Sequence, residues 1–87
     1  MKLPESLKLI TDTLWQIKNK KDFKWSLEDL LTPWEIISIA ERINILKLLK
    51  KGKSQRDIAE KLWISVTTVT RWNRVLQYEG KAIKKYI

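Results

Sequence analysis

The amino-acid sequence predicts an all-α protein of five to six helices that ends in a helix-turn-helix. Apolar residues recur at intervals of three and four along most of the chain, which is typical of amphipathic helices. Serine or threonine stands before several of these periodic stretches, where a helix N-cap belongs. The chain has 87 residues, which suits one small domain, and a second copy would enlarge so small a core.

The first helix is predicted from a single apolar stripe. Its members follow steps of four, three, four and three, which places them on one helix face of heptad type. They are Leu3, Leu7, Ile10, Leu14 and Ile17. The partner of this stripe is either the rest of the same chain or the same stripe in a second copy, and we favour the second copy. Residues 1–51 are therefore predicted to contain the dimerisation helices.

The next two helices are predicted from their caps. In "SLEDLLTP", Ser26 is the predicted N-cap of a short second helix that ends near Thr32. Thr32 then caps a third helix, with Pro33 in its first position and Glu35 behind it. Because this third helix is apolar over most of its circumference up to Gly52, we expect it to be central and buried.

Residues 54–78 have the spacing of a helix-turn-helix. Ser54 and Ser65 are the predicted caps of its two helices, and "WIS" forms the turn between them. The β-branched run from Val66 to Thr70 then belongs to the second helix, where packing overrides its preference for a strand. The predicted inward-facing residues are Ile58, Ala59, Leu62, Ile64, Val69 and Trp72. An ordinary helical hairpin with a solvated polar face is the alternative.

The charge distribution favours a polyanionic partner. The net charge is +8, and residues 50–87 hold 10 basic and 3 acidic side chains. A basic surface binds nucleic acid by neutralising phosphates and releasing counterions. The residues predicted to enter the major groove are Ser65, Val66, Thr67, Thr70, Arg71 and Arg74. Those predicted to hold phosphates are Lys53, Gln55 and Arg56.

Several short stretches, in order, resemble the tryptophan repressor family. They are "LLTPWEIISIAERINILKLLKKGKSQRDIAEKL", "TTVTR" and "NRVLQYEG", and the last is most similar to the YerC/YecD-type branch. The resemblance implies an intertwined homodimer that presents two recognition helices to a pseudo-palindromic DNA operator and represses transcription. From the residues themselves, 79–87 are predicted to be a basic tail that either forms one helical turn after Gly80 or stays loose.

The resemblance also implies where a corepressor would bind. No cofactor is required, and L-tryptophan is the small-molecule corepressor that the family suggests. Thr32, Arg42 and Arg71 match the positions that hold it. Trp72 and Val75 depart from the family, which has glycine and serine there, and these departures speak against tryptophan sensing. We hypothesise that Trp72 is a built-in indole, against the simpler view that it is an inward apolar residue.

The tryptophan and glycine contents are unusual. The chain has five tryptophans and two glycines, whereas a glycine frequency of about 7 per cent would give roughly six. Trp63 opens the turn, where a positive φ often requires glycine. One hypothesis is that UGA codons for glycine have been translated as tryptophan. The alternative is a tryptophan-rich lineage, with Trp15, Trp25 and Trp34 used in the core or an interface.

The remaining function classes are disfavoured. The chain contains no cysteine and no histidine, and its carboxylates have the spacing of caps and helix surfaces, so we do not expect an enzyme or a metal site. We expect a cytoplasmic protein with no membrane partner, although "KAIKKYI" could lie on an anionic membrane surface. The alternatives kept open are a helix-turn-helix protein-interaction module and a non-specific nucleic-acid binder.

Overall fold

The computed structural model describes residues 1–87 and contains five α-helices and no strand, which confirms the all-α fold class. The helices are α1 (Leu3–Leu14), α2 (Lys20–Leu30), α3 (Pro33–Lys50), α4 (Gln55–Leu62) and α5 (Val66–Arg74). A π-helical stretch, Val75–Glu79, continues α5, and one 3₁₀ turn, Ile83–Tyr86, follows. The chain forms two compact units, residues 1–36 and residues 37–87. None of the helices combines the length and apolar character that crossing a membrane requires.

Helix α2 begins earlier than its sequence pattern predicts. The side-chain oxygen of Asn19 accepts a hydrogen bond from the backbone N–H of Asp22 at 2.8 Å and caps the helix. Asp22 also places a negative charge in the first turn, where the helix dipole favours it. The prediction that Ser26 caps this helix is therefore wrong, because Ser26 lies inside α2.

Helix α3 begins at the predicted position. The Thr32 hydroxyl accepts a hydrogen bond from the Glu35 N–H at 3.3 Å, and the Thr32 N–H donates to Glu35 Oε1 at 2.9 Å. This reciprocal pair is a capping box, and Pro33 at the first helical position has no N–H to satisfy. The interaction with Thr32 lowers the pKa of the Glu35 carboxyl, mainly through the backbone hydrogen bond.

No residue in the first unit is buried. Ile17 was predicted to belong to the stripe of the first helix but lies beyond the end of α1 at Leu14. The other four stripe residues, called the α1 stripe from here on, include Leu3, Leu7 and Ile10 with 80%, 62% and 54% of their surface exposed. Side-chain caps begin α2 and α3, whereas α1 has no side-chain cap and is stabilised by hydrogen bonds within the helix. The apolar faces of these helices are not buried within the unit.

The second unit has a closed apolar core. It is made by Ile45, Leu48, Ile58, Ala59 and Val69, with Leu49, Leu62, Ile64 and Trp72 packed against it. Every predicted inward-facing residue of the helix-turn-helix is in this set. The prediction for α3 is right only at its C-terminal end, because its earlier isoleucines are 36% to 55% exposed. These are Ile36, Ile37, Ile39 and Ile43.

Helix α3 ends in a hydrogen-bonded motif that uses a left-handed residue. Gly52 has a φ of +88°, and its N–H donates to the Leu49 carbonyl at 2.9 Å. The Lys53 N–H donates to the Leu48 carbonyl at 3.1 Å. This pattern is a Schellman motif, in which glycine takes the positive φ without a steric cost.

Candidate nucleic-acid interface

The two helices of the helix-turn-helix are joined through the core of the second unit. Ile58 and Ala59 of α4 and Val69 of α5 are 1%, 5% and 0% exposed. The small side chain of Ala59 permits a close approach of the two helices, and Val69 fixes which face of α5 points inward. The opposite face of α5 is therefore presented to solvent.

The start of α5 is capped by Ser65. Its hydroxyl oxygen accepts a hydrogen bond from the Thr68 N–H at 3.1 Å, and the Ser65 and Thr68 hydroxyl oxygens lie 2.9 Å apart. Ser54 caps α4 in the same way through the Asp57 N–H at 3.1 Å. Both caps confirm the sequence prediction. Thr68 was not predicted to take part, and the spacing Ser-x-x-Thr is the only signal that could have shown it.

The turn between α4 and α5 contains a left-handed tryptophan. Trp63 has φ 59° and ψ 42°, and its side chain is 93% exposed. Its N–H donates to the Ala59 carbonyl, and the Ile64 N–H donates to the same oxygen at 3.1 Å. The predicted positive φ is thus confirmed. For a bulky residue this backbone is an outlier, because the Cβ crowds the following carbonyl.

The exposed face of α5 carries most of the residues predicted to enter the major groove. Thr67, Arg71 and Arg74 are all exposed and lie four and three residues apart, so they share one helix face. Ser65 and Val66 are exposed at the start of the helix. Helix α5 has two arginines and no acidic residue, so this face is uniformly basic.

Thr70 is placed differently from the other predicted groove residues. It is half-buried, and its hydroxyl lies 2.6 Å from Gln55 Oε1 and 3.0 Å from the Val66 carbonyl oxygen. A hydroxyl group with these acceptors already has its hydrogen-bond partners inside the protein. The Thr70–Gln55 hydrogen bond joins α5 to the first residue of α4.

The residues predicted to hold phosphates lie at the start of α4. Lys53 and Arg56 are exposed, and Gln55 is half-buried against Thr70. The helix N-terminus adds unpaired backbone N–H groups and a partial positive charge, both of which favour an anion. The sequence-predicted roles of these residues remain predictions.

The ring of Trp72 lies close to two arginines. The guanidinium carbon of Arg42 lies 5.4 Å from the centroid of the Trp72 ring, and that of Arg71 lies 5.2 Å from it. Both distances are within the range of cation–π contacts. We call the space that the Trp72 ring occupies beside Arg42 and Arg71 the indole slot. Thr32, also predicted for the corepressor pocket, caps α3, and Val75 is half-buried at the end of α5.

A second basic group was missed by sequence reasoning. Lys50 at the end of α3 donates hydrogen bonds to the backbone carbonyl oxygens of Lys84, at 3.0 Å, and of Ile87. Lys50, Lys81, Lys84 and Lys85 line one shallow hollow. The basic composition of residues 50–87 indicated such charge, but only the folded chain shows that residues more than 30 apart in sequence meet here.

Comparisons with known proteins agree on one family. The model of the family described as the Trp repressor protein matches residues 5–87. A Trp operon repressor homolog of Photobacterium profundum is 34% identical over 79 residues, which are 90% of this chain and 77% of the relative. A Trp operon repressor homolog of Xylella fastidiosa is 33% identical over 78 residues, which are 88% of this chain and 85% of the relative. No solved structure is similar enough to count as a match.

Proposed function

The chain belongs to the Trp repressor protein family, and from that premise we propose that two copies of it read a two-fold symmetric DNA operator with helix α5. A role as a DNA-binding regulator of the repressor type follows from the family itself, which consists of transcription regulators and not enzymes. The operator, the dimer and the response to ligand are the parts that we propose.

The exposed basic face of α5 carries the proposal. Thr67, Arg71 and Arg74 lie on the side opposite the buried Val69, and the helix has no acidic residue to repel phosphate. Arginine can read guanine in the major groove with two hydrogen bonds, and threonine can contact a base edge or a thymine methyl. Lys53 and Arg56 would fix the position of the helix by holding phosphates.

The proposed homodimer rests on the apolar surface that the single chain leaves in water. The α1 stripe and the first half of α3 each expose leucine or isoleucine side chains, and exposed apolar side chains of this kind are typical of an interaction surface. The same surfaces on a second copy would cover them, because two-fold dimers use identical, self-complementary patches. Two recognition helices would then meet successive major grooves about 34 Å apart.

The proposed response to ligand follows from the indole slot. A free L-tryptophan would need the space beside Arg42 and Arg71, which the Trp72 side chain fills in this chain. Two cation–π contacts and packing on the core hold that side chain in place. We therefore expect this chain to bind its operator without L-tryptophan, and calorimetry should detect no stoichiometric binding of the amino acid.

A selection of random DNA duplexes on the purified protein, with and without L-tryptophan, tests the proposal. Enrichment of a two-fold symmetric site in both arms is the expected result. Enrichment only with L-tryptophan would retain the operator and overturn the ligand-independent form. If neither arm enriches a sequence, the proposed specific recognition is wrong.

Two other functions are separated by the salt dependence of binding. A non-specific nucleic-acid binder would bind every duplex with the same steep salt dependence, because phosphates supply all of its affinity. A protein-interaction module would show no strong duplex binding even at low salt. The basic α5 face and the lysine hollow around Lys50 favour nucleic acid over protein.

A further inference from the structure

Trp63 occupies a backbone conformation that suits glycine. At φ 59° and ψ 42° the residue is left-handed, and the Cβ of any L-residue then approaches the following carbonyl oxygen. Trp63 is the only residue other than glycine with a positive φ in the chain. Its indole is 93% exposed, so burial of the ring offers almost nothing in return for the strain.

The end of helix α3 provides an internal comparison. Both α3 and α4 end with a left-handed residue whose N–H returns to a carbonyl of the last turn. In α3 that residue is Gly52, and space around it is open, so only the backbone angle explains the glycine. The left-handed residue at the end of α4 is Trp63. The bulkiest side chain therefore stands there, whereas α3 has glycine, which has none.

Three other tryptophans, all in the first unit, also lack the environment that tryptophan usually occupies. Trp15, Trp25 and Trp34 are 77%, 50% and 79% exposed, whereas tryptophan is among the more buried residues on average. The rings of Trp15 and Trp25 each have a lysine ammonium within 5 Å of the centroid, which is a surface contact. None of the three serves as a core aromatic.

We propose that position 63 is glycine in the protein that the source cell makes, because the gene has a UGA codon there and that cell reads UGA as glycine. The tryptophan at position 63 of this sequence would then come from translating UGA as tryptophan, as some other genetic codes do. One cause explains the left-handed conformation and the exposed ring of Trp63, and it accounts for part of the shortage of glycine.

This substitution changes the candidate interface. With glycine at position 63, the turn that sets the angle of α5 against α4 loses its strain. If position 72 has the same codon, the indole slot beside Arg42 and Arg71 is open in the cell, and a free aromatic ligand has room there. The consequence for ligand response rests on the proposed function, but the identity of residue 63 does not.

The direct test reads the codon for position 63 in the source gene and the mass of the matching peptide in protein isolated from the source cell. UGA with a glycine-containing peptide is the expected result. UGG, or a peptide that contains tryptophan, overturns the proposal. Neither reading depends on DNA binding, so a failure here leaves the proposed function standing, and a failure of duplex selection leaves this inference standing.

A pair of variants tests whether the left-handed conformation of Trp63 is strained. Trp63→Gly should raise the Tm by about 5 °C, since relief of a left-handed side chain is worth several degrees in a domain of this size. Trp34→Gly is the matched control, because Trp34 is also exposed but lies in the first turn of α3, where glycine brings no such relief. A Trp63→Gly protein that is no more stable than the parent removes the premise that this conformation is strained.

Discussion

The first unit, residues 1–36, and the second unit, residues 37–87, are built with the same local signals but differ in their interiors. Side-chain caps begin helices in both, at Asn19 and Thr32 in one and at Ser54 and Ser65 in the other. Only the second unit has buried residues. Short helices are marginal in water without tertiary packing, and in the proposed homodimer a second copy would supply the packing that the first unit lacks.

The largest effect should come from opening the core of the second unit. Ile58→Ala removes three carbons from a side chain that is 1% exposed, and should lower the free energy of unfolding by about 3 kcal/mol at every protein concentration. Denaturant unfolding measures this. Ile83→Ala is the control, because Ile83 is 38% exposed in the tail and should change stability much less. Equal losses would mean that the described core is not the one that holds the unit together.

A charge on the α1 stripe should disrupt the first unit by way of its partner. Leu7→Glu should weaken the dimer by about 2 kcal/mol per protomer, the value of burying one leucine, and sedimentation equilibrium would show the shift to monomer. Glutamate is a good helix former, so α1 itself should persist. Leu9→Glu puts the same charge on the same helix away from the stripe. If Leu9→Glu dissociates the dimer and Leu7→Glu does not, the stripe is not the interface.

Substitution of the α5 face should affect binding more than stability. Arg71→Ala should reduce affinity for the selected operator by about 1 to 2 kcal/mol and relax its sequence preference, because a groove arginine is lost. Competition between operator and random duplex measures both effects. Lys61→Ala removes an exposed positive charge from α4 instead, and should leave sequence preference unchanged. An unaltered operator affinity for Arg71→Ala would take Arg71 out of the interface.

The smallest effect concerns the capping box at the start of α3. The pKa of Glu35 is lowered from its ordinary value of 4.5, chiefly by the backbone hydrogen bond from Thr32. A carboxyl whose pKa is lower in the folded than in the unfolded protein stabilises the fold at pH values above its unfolded-state pKa. This stabilisation is lost as the pH falls through the folded-state pKa. The start of α3 should therefore become less stable at pH values below 4.5. The change should be slight, because Glu35 is exposed.

Glu35→Gln provides the comparison for that titration. Glutamine also completes a capping box but does not titrate in this range. Amide hydrogen exchange in the first turn of α3 should lose protection in acid for the parent chain, and the variant should lose less. The same acid sensitivity in both proteins would show that another carboxyl is responsible.

The features that sequence could predict are those determined within one or two helical turns. Thr32, Ser54 and Ser65 each cap the predicted helix, because a cap depends only on residues three positions away. The prediction that Ser26 caps α2 is wrong, because Asn19 caps this helix about two turns earlier. The apolar spacing also identified Val69 and Trp72 as inward-facing.

The side-chain contacts between distant segments could not be predicted in this way. The contact between Arg42 and Trp72 depends on how α3 and α5 pack, and no local rule gives that. The bonds from Lys50 to the tail carbonyls join residues more than 30 apart in sequence. The positive φ of Trp63 was expected from its place in the turn, despite its side chain.

The hydrogen bond between Gln55 and Thr70 has a consequence for how recognition is measured. Gln55 is a predicted phosphate contact and Thr70 lies on α5, so a shift of either α4 or α5 would change the contacts of both residues. Energies assigned separately to backbone attraction and to sequence reading would then fail to add, because residues that share a bond are thermodynamically coupled. Operators that differ only in base sequence would also differ in the number of ions released when the protein binds them.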